Sequence, residues 1–76
     1  MNETPIRDLL AFLDSRLTDL MFSLYRSRQT LTAIQQQAQA DAVLLGRVGE
    51  ALAAVRESER VLAEIQQRIV AIRHDT

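Results

Sequence analysis

The stretch that decides the fold is residues 6–34, IRDLLAFLDSRLTDLMFSLYRSRQTLTAI. Its apolar residues recur in alternating steps of four and three, and Ser27 is the one interruption. This spacing keeps one face of a helix apolar for about eight turns. The stripe consists of Ile6, Leu10, Leu13, Leu17, Leu20, Leu24, Leu31 and Ile34. Because so long an apolar stripe must be covered in water, we expect this helix to pack against another element.

A second series with the same spacing runs through the C-terminal half of the chain. It consists of Leu44, Val48, Ala51, Val55, Ser58, Leu62, Ile65, Ile69 and Ile72. The first register, carried onward, would instead place Asp41, Glu59 and Gln66 in the seam, so we expect a turn between the two series. The sequence therefore predicts an all-α fold, an antiparallel two-helix hairpin of coiled-coil type. The helices are predicted at about residues 5–36 and 42–73, in a single interaction domain of residues 1–76.

Local signals support these boundaries, although other boundaries stay open. Thr4 and Pro5 form a helix-start signal, and Asp41 is the expected N-cap of the second helix. Gly46 and Gly49 offer a rival position for the turn, although both lie opposite the apolar series. One continuous helix is a further alternative, because the polar segment 35–42 contains neither Gly nor Pro.

The composition favours a small module that depends on another chain. A chain of 76 residues supports only a marginal core, and without Cys it has no disulfide or thiolate metal site to strengthen that core. The formal charge of −1 provides no basic field for nucleic acid, and no segment has the length and apolarity of a membrane span. The first five residues lack the basic region of a secretory signal, so the expected location is the cytoplasm.

The sequence offers little for catalysis. His74 is the one histidine, and it stands near the C-terminus without Cys or clustered carboxylates beside it. The segment 46–49 lacks the spacing and the strand context of a phosphate-binding loop. We therefore expect no enzyme activity, no catalytic or metal site and no cofactor. A small helical RNA binder stays open as a minor alternative, although acidic residues interleave with the arginines of the first helix.

The chain carries more apolar surface than one hairpin seam can bury. Met21 and Tyr25 widen the first stripe on one side, and Phe12 and Phe22 point away from it, while the second stripe covers about half of its helix. The residues predicted to bind a partner are Phe12, Met21, Phe22, Tyr25, Leu45, Leu52, Ile65 and Ile72. For each of them, burial within the hairpin or within a homodimeric four-helix bundle is the alternative.

Two ungapped stretches resemble a known family. The first contains Asp8-Leu9-Leu10 and Leu20-Met21-Phe22-Ser23-Leu24, followed by Arg28 and Leu31. The second contains Ala54-Val55, Glu59, Val61-Leu62, Ile65 and Arg68. In this order and spacing they resemble the small E-component co-chaperones of bacterial type III secretion systems.

The resemblance implies a fold and a function. Members of that family are antiparallel helical hairpins of the bacterial cytoplasm. They pair with a second chaperone built of tetratricopeptide-like repeats, and the pair keeps a needle or translocator subunit unpolymerised before export. The expected partners are therefore this repeat chaperone and the exported subunit. The alternative partner is a second copy of the chain, in a structural or regulatory four-helix bundle.

Overall fold

The computed structural model describes residues 3–75 and consists of two long helices packed side by side. Helix α1 spans Glu3–Gln37 and helix α2 spans Ala42–Asp75. The chain doubles back once, so the helices are antiparallel and form a rod of 61 × 15 × 13 Å. The prediction of an all-α antiparallel hairpin is confirmed, and each helix extends by at most two residues beyond its predicted ends.

The turn lies in the polar segment and not at the glycines. Residues 38–41 connect the helices, and the amide N–H of Asp41 donates to the carbonyl of Ala38 over 3.1 Å. The carboxylate Oδ1 of Asp41 accepts a hydrogen bond from the amide N–H of Leu44 at 3.0 Å. Asp41 is therefore the N-cap of α2, as predicted. Gly46 and Gly49 lie inside α2, so the rival turn and the continuous helix are both wrong.

The start of α1 differs slightly from the prediction. The helix begins at Glu3, so Thr4 and Pro5 lie within its first turn. Pro5 is tolerated there because the first backbone N–H groups of a helix have no intrahelical acceptor. The proposed cap by the Thr4 side chain lies outside the side chains that the structure describes, which run from Pro5 to Asp75.

The seam between the helices uses only half of each predicted stripe. In both helices most of the buried and half-buried residues recur in steps of four and three. This recurring set is Leu10, Asp14, Leu17, Met21, Leu24, Arg28, Leu31 and Gln35 in α1, and Leu45, Val48, Leu52, Val55, Glu59, Leu62, Gln66 and Ile69 in α2. Five further half-buried residues lie beside it: Thr32, Gly49, Ala51, Ala63 and Ile72. Each helix is therefore rotated about its axis so that one half of its predicted apolar stripe faces the other helix and the remaining half does not.

Polar side chains in the seam account for this rotation. Arg28 lies against Glu59, with 3.0 Å between Nε and Oε1, and Asp14 contacts both Gln66 and Arg73. We expected Glu59 and Gln66 to stay out of the seam, and that expectation was wrong. Each of them meets a complementary group on α1, which offsets the cost of removing it from water.

The fully buried core is very small. Among the described residues, the buried hydrophobic side chains are Leu17, Val48 and Leu52. A two-helix rod surrounds each seam residue from one side only, so most apolar side chains keep part of their surface in water. Burial of apolar surface within the hairpin consequently contributes little to its stability, and contact with another chain would bury more of this surface.

Candidate protein-binding surfaces

The predicted partner-binding residues fall into two groups in the structure. Phe12 and Phe22 are 59% and 61% exposed and point away from the seam, as the sequence predicts, and Tyr25 and Ile65 are also exposed. The others take part in intramolecular packing. Met21, Leu45 and Ile72 are half-buried, and Leu52 is only 4% exposed. For Leu52 the structure therefore favours the alternative, burial within the hairpin.

One side of the hairpin carries the two aromatic residues Phe22 and Tyr25, and we call it the aromatic face. With Thr18 and Met21 of α1 and with Glu59 and Gln66 of α2, they line an open groove of about 440 Å³. The floor of this groove is polar on the α2 side, because Glu59 and Gln66 reach it from the seam.

The ring of Tyr25 is held by its neighbours on α1. Its hydroxyl accepts a hydrogen bond from Gln29 Nε2 at 2.8 Å. The guanidinium carbon of Arg28 lies 5.2 Å from the ring centroid, within the range of a cation–π contact. Arg28 thus touches Tyr25 on its own helix and Glu59 on the other, which couples the aromatic face to the polar layer of the seam.

The opposite side of the hairpin is an exposed apolar face. It consists of the stripe residues outside the recurring seam set: Ile6, Leu13, Leu20, Ser27 and Ile34 in α1, and Leu44, Ala51, Ser58, Ile65 and Ile72 in α2. Ala51 and Ile72 are half-buried, and the others are exposed. Leu20 and Ser58 line one groove of about 390 Å³, which shows that the two rows border the same side. Ile6, Leu13, Leu20, Ile34, Leu44 and Ile65 are all exposed.

Apart from Ile65 and Ile72, the residues of this face were not predicted to bind a partner, because the sequence places both rows in the seam. A signal for it does exist. Asp14 and Arg28 stand in α1 at the same seven-residue repeat position, and Glu59 and Gln66 do the same in α2. Complementary polar residues at matching repeat positions indicate two faces that can pair with each other. Once these faces pair, the apolar rows remain uncovered.

The charged residues are distributed unevenly around the rod. The exposed apolar face is flanked on its outer edges by Arg16, Arg47 and Arg68, at the repeat positions next to the apolar rows. Within residues 6–37 and 44–72, no Asp or Glu occupies either apolar row or the repeat position next to it on its outer edge. With a formal net charge of −1 for the whole chain, the excess of carboxylates therefore lies on the other sides.

Two of the three arginines on these edges lack an acidic partner among the described residues. Arg47 is paired with Glu50 at 3.0 Å, as its spacing predicts. Arg16 and Arg68 make no hydrogen bond or ion pair within residues 5–75. The spacing of Glu64 and Arg68 favours a pair, but Glu64 instead accepts from Arg60 Nη1 at 2.6 Å.

The back of α2 carries an ion-pair cluster centred on Arg60. Its guanidinium donates to both carboxylate oxygens of Glu57 and to Glu64. The hydrogen bonds from Arg60, together with its charge, lower the pKa of the Glu57 carboxyl below its ordinary value. The same contact with Glu57, with a smaller contribution from Glu64, raises the pKa of Arg60. All three side chains are solvent-exposed, so this cluster contributes little to stability.

The remaining features concern metals and membranes. Within residues 3–75 no group of three His, Cys, Asp or Glu side chains is placed to hold a metal ion. Neither helix, over the part that the structure describes, is long and apolar enough to cross a bilayer.

His74 borders an open groove at the end of the rod with Arg7, Asp8, Ala11, Val70 and Arg73.

Comparison with known proteins adds no assignment: no family model, no curated protein and no solved structure matches this chain.

Proposed function

We propose that this hairpin is a protein-binding co-chaperone of a bacterial type III secretion system, acting in the cytoplasm without catalysis. In this role it pairs with a tetratricopeptide-like chaperone, and the pair holds a needle or translocator subunit unpolymerised until export. The mechanism is the covering of an assembly-prone surface, followed by release. No cofactor, metal, nucleic acid or membrane insertion is required.

The observation that carries the proposal is the imbalance between buried and exposed apolar surface. Among the described residues the buried core comprises three side chains, whereas large hydrophobic residues remain exposed on both sides of the rod. A hairpin with uncovered apolar rows along its whole length is unusual for a protein that works alone. A second chain would cover these rows and supply the stabilisation that the core lacks.

The two stretches that carry the family resemblance support the same proposal. They lie opposite each other in the hairpin, since Leu20 and Leu24 line one groove with Val61 and Leu62. Arg28 and Glu59, one from each stretch, form an ion pair across the seam. The residues that carry the resemblance therefore include several that lie against one another across the hairpin. Similarity of composition alone does not require such contacts.

The test is co-expression with a tetratricopeptide-like chaperone of a type III secretion system, followed by measurement of the molar mass of the purified material. We expect a one-to-one complex in which the hairpin melts at a higher temperature than it does alone. A hairpin that melts cooperatively at the same temperature with and without the repeat protein, and that elutes apart from it, would contradict the proposal.

A homodimeric four-helix bundle is the second candidate. Its support is the seven-residue recurrence of exposed apolar residues in both helices, which is the pattern that bundle interfaces use. The molar mass of the isolated chain over a hundredfold concentration range separates the two candidates. A stable, highly helical dimer supports the bundle, whereas a weakly folded monomer supports the co-chaperone.

A further inference from the structure

We infer that the exposed apolar face binds one amphipathic helix of a partner chain, and that carboxylates border the apolar stripe of that helix on both sides. This rests on the proposed function as a protein-binding module, and it adds the binding face and the chemistry of the occupant. The aromatic face, on the opposite side of the rod, is a separate surface.

The shape of the face indicates a single helix lying along the rod. Two rows of apolar residues, one on each helix of the hairpin, flank the groove between α1 and α2. A third helix laid in such a groove contacts both rows at once, as in a three-helix coiled coil. The seven-residue recurrence of Ile6, Leu13 and Leu20 keeps the row straight over several turns, so the occupant must keep the same repeat.

The middle of the face has room for large side chains. Ser27, Ala51 and Ser58 are its small residues, and they interrupt the rows of Leu and Ile. Beside Ser58 lies the groove of about 390 Å³, whose walls include Leu20, Leu24, Val61 and Leu62. Glu57 also borders this groove, but its carboxylate is engaged by Arg60 on the outer side of α2. A Leu or Phe of the partner helix fits this level of the groove.

The charge of the edges indicates an acidic occupant. Arg16 stands on the α1 edge and Arg68 on the α2 edge, and neither has an acidic partner among the described residues. The two rows and their outer neighbours contain no carboxylate over 6–37 and 44–72. Carboxylates on both borders of an incoming helix would therefore meet arginine on each side, while the Glu57 carboxylate at the groove is already engaged by Arg60.

The same charges disfavour a second copy of the chain on this face. Two copies packed face to face would bring together edges that contain arginine but no Asp or Glu in these ranges. Like charges at neighbouring bundle positions cost free energy, and they select against that pairing. The occupant is thus a different chain, with the complementary sign at its borders.

The probes for the experiment are two synthetic 28-residue peptides that have Leu at the core positions of each heptad. One carries Glu at all flanking positions and the other carries Lys, so that neither peptide associates with itself readily. Each is titrated into the full chain, with fluorescence anisotropy as the readout. We expect the acidic peptide to bind at least about tenfold more tightly than the basic one in low salt, with a smaller difference in high salt.

Matched variants locate the binding site. Leu20→Asp should weaken binding of the acidic peptide at least about tenfold, and Ser15→Asp, at an exposed position on the other side of α1, should leave it unchanged. The double substitution Arg16→Glu with Arg68→Glu should reverse the preference, so that the basic peptide binds more tightly. All of these side chains are exposed, and circular dichroism checks that each variant keeps its helicity.

Each outcome decides for or against the inference. Equal binding of the two peptides, no binding of either, or loss of binding in Ser15→Asp instead of Leu20→Asp would overturn it. A dimer of the free chain that Leu20→Asp dissociates would also overturn it, because the occupant would then be a second copy. If the acidic peptide binds as expected but no repeat chaperone forms a complex, the proposed function fails while this inference stands.

Discussion

Arg28 of α1 and Glu59 of α2 face each other across the seam, with 3.0 Å between Arg28 Nε and Glu59 Oε1. The Nε–H is buried and makes no hydrogen bond of good geometry, so the contact is chiefly one of charge. Both side chains are partly exposed, which moderates its strength. This pair nevertheless favours the observed pairing of helix faces, because either charge would be costly to bury against an apolar row.

A double-mutant cycle measures that pair. Arg28→Ala and Glu59→Ala should each lower the free energy of unfolding, and their coupling should be about 0.5–1 kcal/mol, because the pair is only partly buried. Urea unfolding followed by circular dichroism gives the four values. The Arg47 and Glu50 pair, which is well exposed, serves as the control and should show a smaller coupling. Equal coupling in both pairs would contradict the structural role of Arg28.

Removal of the N-cap should destabilise the hairpin. Asp41→Ala leaves the amide N–H of Leu44 without its carboxylate acceptor, at the start of α2. Loss of such a cap costs about 0.5–2 kcal/mol. Asp19→Ala removes the same charge from an exposed helix interior and should have a much smaller effect on thermal unfolding. A similar loss of stability in both variants would count against the capping role.

The two glycines of α2 are positions where stability can be gained. Neither has a positive φ, and a methyl group added at either one meets no atom within 4 Å. Gly46→Ala and Gly49→Ala should therefore each stabilise the helix by up to about 1 kcal/mol. Differential scanning calorimetry would show a higher melting temperature for each variant. A lower melting temperature for Gly49→Ala would indicate that this position lies against another chain.

The Glu57–Arg60 contact predicts a specific pH dependence. The hydrogen bonds from Arg60 lower the pKa of Glu57 in the folded chain, so the stabilisation is present above the unfolded value of about 4.5. It is lost as the pH falls through the lower folded pKa, where the carboxyl becomes protonated. The melting temperature of Glu57→Gln should thus lie slightly below that of the unmodified chain at pH 7, and the gap should close in acid. A gap that widens below pH 4 would contradict this assignment.

Truncation of Phe22 tests the aromatic face. Phe22 is 61% exposed, so Phe22→Ala removes little intramolecular packing and should leave helicity unchanged. Binding to the proposed tetratricopeptide-like chaperone should weaken by about tenfold or more, as for an aromatic residue at an interface centre. Val43, which is 76% exposed beside the turn, provides the control, and Val43→Ala should bind normally. Equal binding of both variants would place the contact elsewhere.

The helices and the turn were predictable because they depend on local signals. The alternating apolar steps define both helices, and Asp41 marks the start of α2. The rotation of the helices was not predictable from apolar spacing alone. By hydrophobicity, Leu13 and Leu17 fit a seam position equally well. The contacts of Asp14 and Arg28 with residues on α2 favour the rotation that places Leu17, and not Leu13, in the seam. The candidate surfaces follow from that rotation, so half of the apolar surface was assigned to the wrong side.

The slender form of the rod has a consequence for its kinetics. With one turn and two long arms, contacts between the helices join residues that lie progressively farther from residues 38–41 toward the other end of the rod. Closure can therefore proceed like a zipper from the turn, without any large loop to be ordered at once, and such topologies fold rapidly. Opening should begin at the end of the rod opposite the turn, near Ile6 and Ile72. A chain that opens from its tips can release a bound surface progressively, one helical turn at a time.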